Sequence, residues 1–293
     1  MRTPSQTPGQ LEKLYYDACM AEIQALKPGN VHIFADGHGM TVQDFIKSAE
    51  VTAPIICAPN LSLGERILQS VQATQNAVHC NTDLGIILLC APLIHSTITM
   101  PCEPISTRLA EHLKQVLNNT TIEDAHLCFK AIALANPAGL GDSALHDVHQ
   151  PADCTLLQAM QFAAARDLIA RQYANNFADI FDFGVNVYLK SLGDGNNAAW
   201  STTALYLTLL AEFEDSHIVR KHGVAAARAL SQQAALHLAN LKAISNPKRY
   251  QKELLEWDAQ LKATGVNPGT CADLTVAILL VVAIVNMQHN ALA

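Results

Sequence analysis

The chain has 293 residues, half of them hydrophobic, with 15% charged and 5% aromatic side chains. That balance builds a large aliphatic core and excludes an extensively disordered chain. A formal net charge of −7 argues against electrostatic binding to nucleic acid or an anionic membrane, both of which need a basic face, so neither is expected as a partner.

In chain order, residues 1–10 are polar and Pro-rich and lack an apolar h-region, which reads as a disordered tail and not a signal peptide. Residues 11–293 read as a single helical catalytic domain. Leu11, Leu14, Tyr15 and Ala18 recur at helical spacing, and Lys27-Pro28-Gly29-Asn30 terminates that helix. Asp36-Gly37 lies in a loop without flanking strands. Ser62 to Glu65 and Thr155 to Gln158 match the capping box. Thr41 to Asp44, Thr121 to Asp124 and Thr270 to Asp273 are its Asp variants, so helix initiation alone accounts for Asp44, Glu65 and Asp273. The composition of Leu84 to Leu89 fits a buried strand or a helix. Arg166 to Arg171 reads as a surface face, although Arg166 and Asp182 flank an apolar helix and burial is compatible with them. Asn246-Pro247 reads as an N-cap followed by Pro at the first helical position. Ala277 to Val285, the most apolar run, is too short to span a bilayer and reads as a core helix. Hairpin signals are absent, and the expectation is an all-α, single-domain bundle of about ten helices.

Eight cysteines, none in a C-x-x-C pair and most in apolar stretches, read as reduced core residues of a cytoplasmic protein. Five polar segments interrupt the helices. They are Lys27 to His32 with Asp36 and His38; Asn81 to Gly85; Asn136 to Asp147; Asp215 to Gly223; and Asn267 to Asp273. They supply Gly-freed amides, cations, Asp and His, the groups that hold phosphates and metals. Each is weak alone, yet together they exceed what turns require, and they should converge on one cleft. Gly139-x-Gly141-x-x-Ala144 matches a dinucleotide fingerprint only formally, because no helix follows it. No Walker A loop, H-E-x-x-H or G-x-S-x-G is present.

In this order the segments resemble those of the triphosphoribosyl-dephospho-coenzyme A synthase family. The resemblance rests on Lys27-Pro-Gly-Asn-Val-His with Phe45 and Ser48-Ala49, on Thr74 to Leu93, on Asp215-Ser216, and on Asn267-Pro-Gly-Thr-Cys-Ala-Asp. It covers nearly the whole chain. Two departures are His32, where many members have Asp, and Gly39, which stands where the family's His-x-Asp-Met has Asp. The resemblance implies transfer of the triphosphoribosyl part of ATP to the 2′-hydroxyl of dephospho-CoA or a similar acceptor, with release of adenine and a requirement for Mg²⁺.

Such a transfer needs a carboxylate beside an oxocarbenium-like ribose, an acid for adenine, a base for the acceptor and cations for the triphosphate. On that basis Asp142, Asp215 and Asp273 are candidate metal or base carboxylates, with His32 and His217 as acid or ligand. Lys27, Arg220 and Lys221 are candidates for phosphate, and Asn81 and Thr82 for ribose or phosphate. Asn30, Gly85, Ser216, Asn267, Gly269 and Thr270 complete the expected nucleotide site. Alternatives are phosphoribosyl transfer in another cofactor pathway, a metal-dependent hydrolase of N-glycosidic or phosphate bonds, and a silent nucleotide-binding regulator. A homodimer is compatible with all of these.

Overall fold

The structure is a computed structural model and describes residues 8–100, 108–141 and 145–292. Among them are fourteen α-helices and no strand, only isolated bridges between His32 and Ala35 and between Gly37 and Met40. The all-α expectation holds, and the count of about ten was low.

The first half comprises α1 (Pro8–Gln24), α2 (Val42–Ile56), α3 (Leu63–Val78), α4 (Leu84–Thr99), α5 (Leu109–Asn118) and α6 (Ile122–Ala135). Three short helices follow, α7 (Leu156–Ala163), α8 (Leu168–Ala174) and α9 (Val185–Gly193), the last preceded by a π turn over Asp179–Gly184. The chain then forms α10 (Ala198–Glu212), α11 (Ser216–His222), α12 (Val224–Lys242), α13 (Gln251–Ala263) and α14 (Gly269–Leu292). The surplus helices are short ones, seven residues each in α8 and α11, where hydrophobic periodicity has too few turns to register. Helix α1 starts at Pro8, so the last three residues of the expected tail are helical, and the first seven lie outside the described residues.

The caps at Thr41, Ser62, Thr121 and Thr155 form as reciprocal boxes. Asn246 caps a 3-10 turn that leads into α13. The Leu84 to Leu89 run is helical and buried within α4. Arg166 and Asp182 are exposed, so the burial considered for them does not occur.

Helix α14 is the core of the bundle and packs against α1, α4 and α10. Its 19-residue stretch Gly269–Met287 is long and apolar enough to cross a membrane, and 72% of it is buried inside the fold. The apolar run read from sequence as nine residues is thus part of a longer buried helix.

Arg66 of α3 is buried, donating to the carbonyl oxygens of Ile56 and Leu61, and burial lowers its pKa to about 10. Burial and then the Arg66 charge push His95 down to about 4, and its buried Nδ1 has no partner among the described residues. A histidine depressed from about 6.5 favours folding above that pH, and the contribution fades as pH falls toward the folded value. Wild-type unfolding free energy is therefore expected to drop between about pH 6.5 and pH 4, with a shallower drop in His95→Gln. Denaturant melts at stepped pH check this, and identical slopes would refute the assignment.

Candidate active site

A cavity of about 720 Å³ opens among α1, α4, α6, α7, α11 and α14, within the range of small-molecule sites. All five polar segments reach it, through Asn30, Thr82 with Gly85, Gly139, Arg220, and Asn267 with Asp273. The expected convergence is observed. Not every residue of a segment faces the cavity, and bonding partners separate those that build it from those left available.

Lys27 builds it. Its ammonium is fully buried and donates to the Glu22 carboxylate, to Asn30 Oδ1 at 2.8 Å and to the Val31 carbonyl at 2.8 Å. All three donors are used, so none is left for phosphate. Asn30 passes the constraint on by donating from Nδ2 to Asn267 Oδ1 at 2.8 Å, joining the first segment to the last. Gly29 makes that approach feasible. Its φ is +86°, and a Cβ there would lie 2.9 Å from Pro268 Cδ. Tyr206 of α10 holds the same turn by donating to the Pro28 carbonyl at 2.8 Å.

His32 is fully buried and does not line the cavity. Its Nδ1 accepts from the Phe34 amide at 3.2 Å, which places the proton on Nε2, 3.3 Å from Asp258 Oδ1. Burial lowers its pKa, so the ring is neutral at pH 7. Asp258 also accepts from the Gly29 amide at 2.8 Å and from Lys262 at 3.0 Å. His32 belongs to this buried support and not to the cavity surface. The neighbouring His38 does line the cavity, and its Nε2 lies 2.7 Å from the Gly29 carbonyl. His38 and Gly39 have φ of +58° and +75°, both in the left-handed region, which favours Gly at position 39.

Asp215 is also committed to the scaffold. Its Oδ1 accepts the His217 and Ile218 amides at 2.9 and 3.2 Å, capping α11, and its Oδ2 accepts the Cys271 amide of α14 at 2.8 Å. At 1% exposure it has no face for a metal. Ser216 and Thr270 hydroxyls meet at 3.1 Å beside it, and Thr270 Oγ1 accepts the His217 amide at 3.3 Å. His217 itself lines the cavity next to Gly269, pushed down to about 4 by burial and then by Arg220 and Lys221. It is neutral at pH 7.

Arg220 and Lys221 line the cavity as expected. Arg220 donates from one amino group to Asp167 at 2.6 Å, and its buried Nε has no partner among the described residues. Lys221 is exposed and donates to the Gly265 carbonyl at 3.3 Å.

Asp273 is the exception among the acids. Helix α14 begins at Gly269, so Thr270 already lies inside the helix and is not its N-cap. The Thr270–Asp273 capping box therefore does not form, and among the described residues nothing hydrogen-bonds the Asp273 carboxylate. Burial raises its pKa strongly, followed by the negative charges of Glu22, Asp215 and Asp83. Asp83, beside it, is buried and accepts from the Thr74 hydroxyl at 2.8 Å, and burial pushes it up to about 7. Thr82 bonds Ser48 at 2.6 Å, and Asn81 Oδ1 accepts the Leu84 amide at 3.1 Å. Asn81 and Thr82 both line the cavity.

Gly85 explains how Asp273 fits. A Cβ there would lie 2.0 Å from Asp273 Oδ2 and 2.7 Å from Ile169 Cδ1. The remaining candidate, Asp142, lies outside the described residues. Sequence reasoning passed over Glu22, Asp83, Asp258 and Lys262. A lone acid between Ala21 and Ile23 was the available signal for the first of these, since an isolated charge on an apolar helix face needs a buried partner.

Fold and cavity define an all-helical enzyme whose cavity carries both carboxylates and cations. The chain belongs to the family of ATP:dephospho-CoA triphosphoribosyl transferases (CitG), whose family model matches residues 8–291. It is similar to a crystal structure from Archaeoglobus fulgidus described as a candidate triphosphoribosyl-dephospho-CoA synthase, at 25% identity and a TM-score of 0.60. That match covers 80% of this chain and 97% of the other. No curated protein matches it significantly.

Gly85→Ala is expected to lower stability by about 1–3 kcal/mol through overpacking against Asp273, with activity falling as the carboxylate is displaced. Adding Asp273→Ala removes one of the clashing groups, so the double variant should recover part of the lost stability. Thermal melts of the three variants check this, and strictly additive losses would refute the contact.

Proposed function

We propose that this cavity binds ATP and dephospho-CoA, and that Asp273 is the carboxylate at the reacting ribose. The reaction breaks the C1′–N9 bond of ATP and forms a bond from C1′ to the acceptor 2′-oxygen. The electron pair of the broken bond leaves on N9 of adenine, which takes up one proton, while the acceptor hydroxyl gives up one proton as its oxygen bonds C1′, so charge and atoms balance. The observation that carries the reading is the free Asp273 carboxylate inside a family-wide match. Glu22 lines the cavity too but is bound to Lys27, and Asp167 is engaged by Arg220 and by two amides of α8.

A carboxylate without donors beside the ribose stabilises developing positive charge most strongly, because no hydrogen bond drains its density. Burial and then the neighbouring acids raise its pKa, so the ionised form that stabilises the ribose and accepts the acceptor proton is favoured when a cation or the developing positive charge lies beside it. His217, neutral and on the cavity wall, is the proposed hydrogen-bond partner of adenine. Arg220 and Lys221 are the proposed phosphate contacts, Arg220 through the donors that Asp167 leaves unused.

Mg²⁺ fits this donor set on one observation: a carboxylate without hydrogen-bond donors is buried among three further acids, and burial first and then their charges raise its pKa, a field that a divalent cation relieves. Asp273 would hold it together with the substrate phosphates, and when bound it would neutralise triphosphate charge. Asp215 is not proposed as a ligand, since backbone amides occupy both its oxygens. We place the reaction in the cytoplasm. The seven cysteines among the described residues are free thiols, which suits a reducing compartment.

Incubation with ATP, Mg²⁺ and dephospho-CoA should release adenine in step with acceptor consumption, followed by chromatography. Asp273→Asn should abolish turnover while preserving the fold. Lys221→Ala should raise the KM for ATP about ten- to a hundredfold, the worth of one charge-assisted contact of about 1.5–3 kcal/mol. Adenine released equally without acceptor would replace transfer by hydrolysis. Full activity in Asp273→Asn would move the reacting centre elsewhere.

A further inference from the structure

The loop between α6 and α7 carries a cluster separate from the Asp273 group. His146 Nδ1 lies 2.7 Å from Asp153 Oδ1 and 3.2 Å from Cys154 Sγ. The three ligand atoms all lie within 4.8 Å of one another. His146 lines the cavity, Cys154 is buried and the Asp153 side chain is 70% exposed.

Both acidic partners address the same imidazole nitrogen. In a Cys-His-Asp catalytic arrangement the thiol and the carboxylate take opposite ring nitrogens, which lets the ring relay a proton. The Cys154 thiol also reaches the Asp153 carboxylate, so all three groups crowd one point, and Nδ1, with one lone pair or one hydrogen, bonds only one of its two neighbours at a time. A cation bound by one atom of each residue satisfies all three together. Two features hold the nitrogen in place. His146 has φ of +53°, a left-handed conformation that costs energy for a non-glycine residue. Its ring also meets Phe162 of α7 edge-on, with centroids 5.3 Å apart.

We propose that His146, Asp153 and Cys154 form a zinc-class divalent metal site that ties this loop to the start of α7 beside the cavity. Imidazole, carboxylate and thiolate are the borderline-soft set that zinc prefers, whereas Mg²⁺ takes oxygen ligands. Tetrahedral zinc geometry separates N from O by about 3.4 Å and N from S by about 3.6 Å. The two flanking ligands need open by only several tenths of an ångström, and exposed Asp153 has room to do so. Three protein ligands leave a fourth position for water or a substrate group. Binding releases the Cys154 thiol proton to solvent and involves no change of oxidation state.

Cobalt(II) is the probe, because a thiolate ligand gives it a near-ultraviolet charge-transfer band and tetrahedral coordination an intense visible one. Titration of the reduced full chain, in a non-chelating reductant, should produce both bands, saturating at one cobalt per chain and bleached by added zinc. Cys154→Ser should eliminate the charge-transfer band, and His146→Gln and Asp153→Asn should weaken binding at least about tenfold. Cys80→Ser, a control at a partly exposed thiol, should leave both bands intact. Circular dichroism of each variant separates lost ligands from lost fold. Absence of the charge-transfer band in wild type, or its persistence in folded Cys154→Ser, overturns the site. Adenine release plays no part in this readout, so failure of the proposed transferase reaction would leave the result standing.

Discussion

The structure depends on gathering four carboxylates, Glu22, Asp83, Asp215 and Asp273, beside an aliphatic core. Removing an ionised carboxylate from water costs several kcal/mol unless it is paired or hydrogen-bonded, and neighbours of like sign add to that cost. Each acid meets the penalty differently. Glu22 takes a buried ammonium from Lys27, and Asp215 takes three backbone amides. Asp83 takes one hydroxyl and rests at a pKa of about 7, so it carries only part of a charge at neutral pH. Asp273 takes no donor, and burial followed by the neighbouring acids pushes its pKa well above the ordinary range. The series runs from full to absent compensation, and of the two members that line the cavity, Glu22 and Asp273, only Asp273 is uncompensated.

The helices are arranged to hold that series in place. Asp215 fastens the start of α11 to the start of α14, and Asn30 fastens the first polar turn to the last. These links run between segments more than fifty residues apart in the chain, so the cavity forms only when the bundle is complete. Two glycines permit the close approaches, Gly29 against Pro268 and Gly85 against Asp273. The first needs both its left-handed backbone and its missing side chain. The second has an ordinary helical backbone and needs only the space.

Much of the fold was legible because its signals are local. A capping box at Ser62 or Thr155 is satisfied within four residues, so the sequence contains the whole interaction. The same logic failed at Thr270. Its hydroxyl is drawn to Ser216 and the His217 amide, from another helix, and α14 starts earlier. Asp273 was thereby released from a capping role that its spacing predicts. The gathering of five segments was also legible, from residue type alone. The division of labour within them was not. Lys27, His32 and Asp215 have the chemistry of a site, but their partners Glu22, Asp258 and the Cys271 amide are set by tertiary packing. A polar residue in a helical bundle reads the same in sequence whether its donors are consumed or open.

Compensation inside the protein bears on how a net-acidic chain holds a triphosphate. The cavity cations are not idle charges waiting for ligand. Arg220 is engaged with Asp167, and Lys221 rests on a carbonyl oxygen. Under the proposed assignment, phosphate at Arg220 adds contacts through the remaining guanidinium donors without breaking the Asp167 pair, since a guanidinium has five N–H groups. Under the same assignment Lys221 exchanges a neutral carbonyl acceptor at 3.3 Å for an ionised phosphate oxygen, and the pairing of opposite charges favours the ligand. Around Asp273, burial and then the charges of Glu22, Asp215 and Asp83 disfavour a further negative charge, with Lys27 opposing them. A polyphosphate brought there adds negative charge to a region already short of counter-charge, so its binding must be coupled to uptake of a cation or a proton. That coupling follows from the burial of the acids and holds whichever acceptor occupies the rest of the cavity.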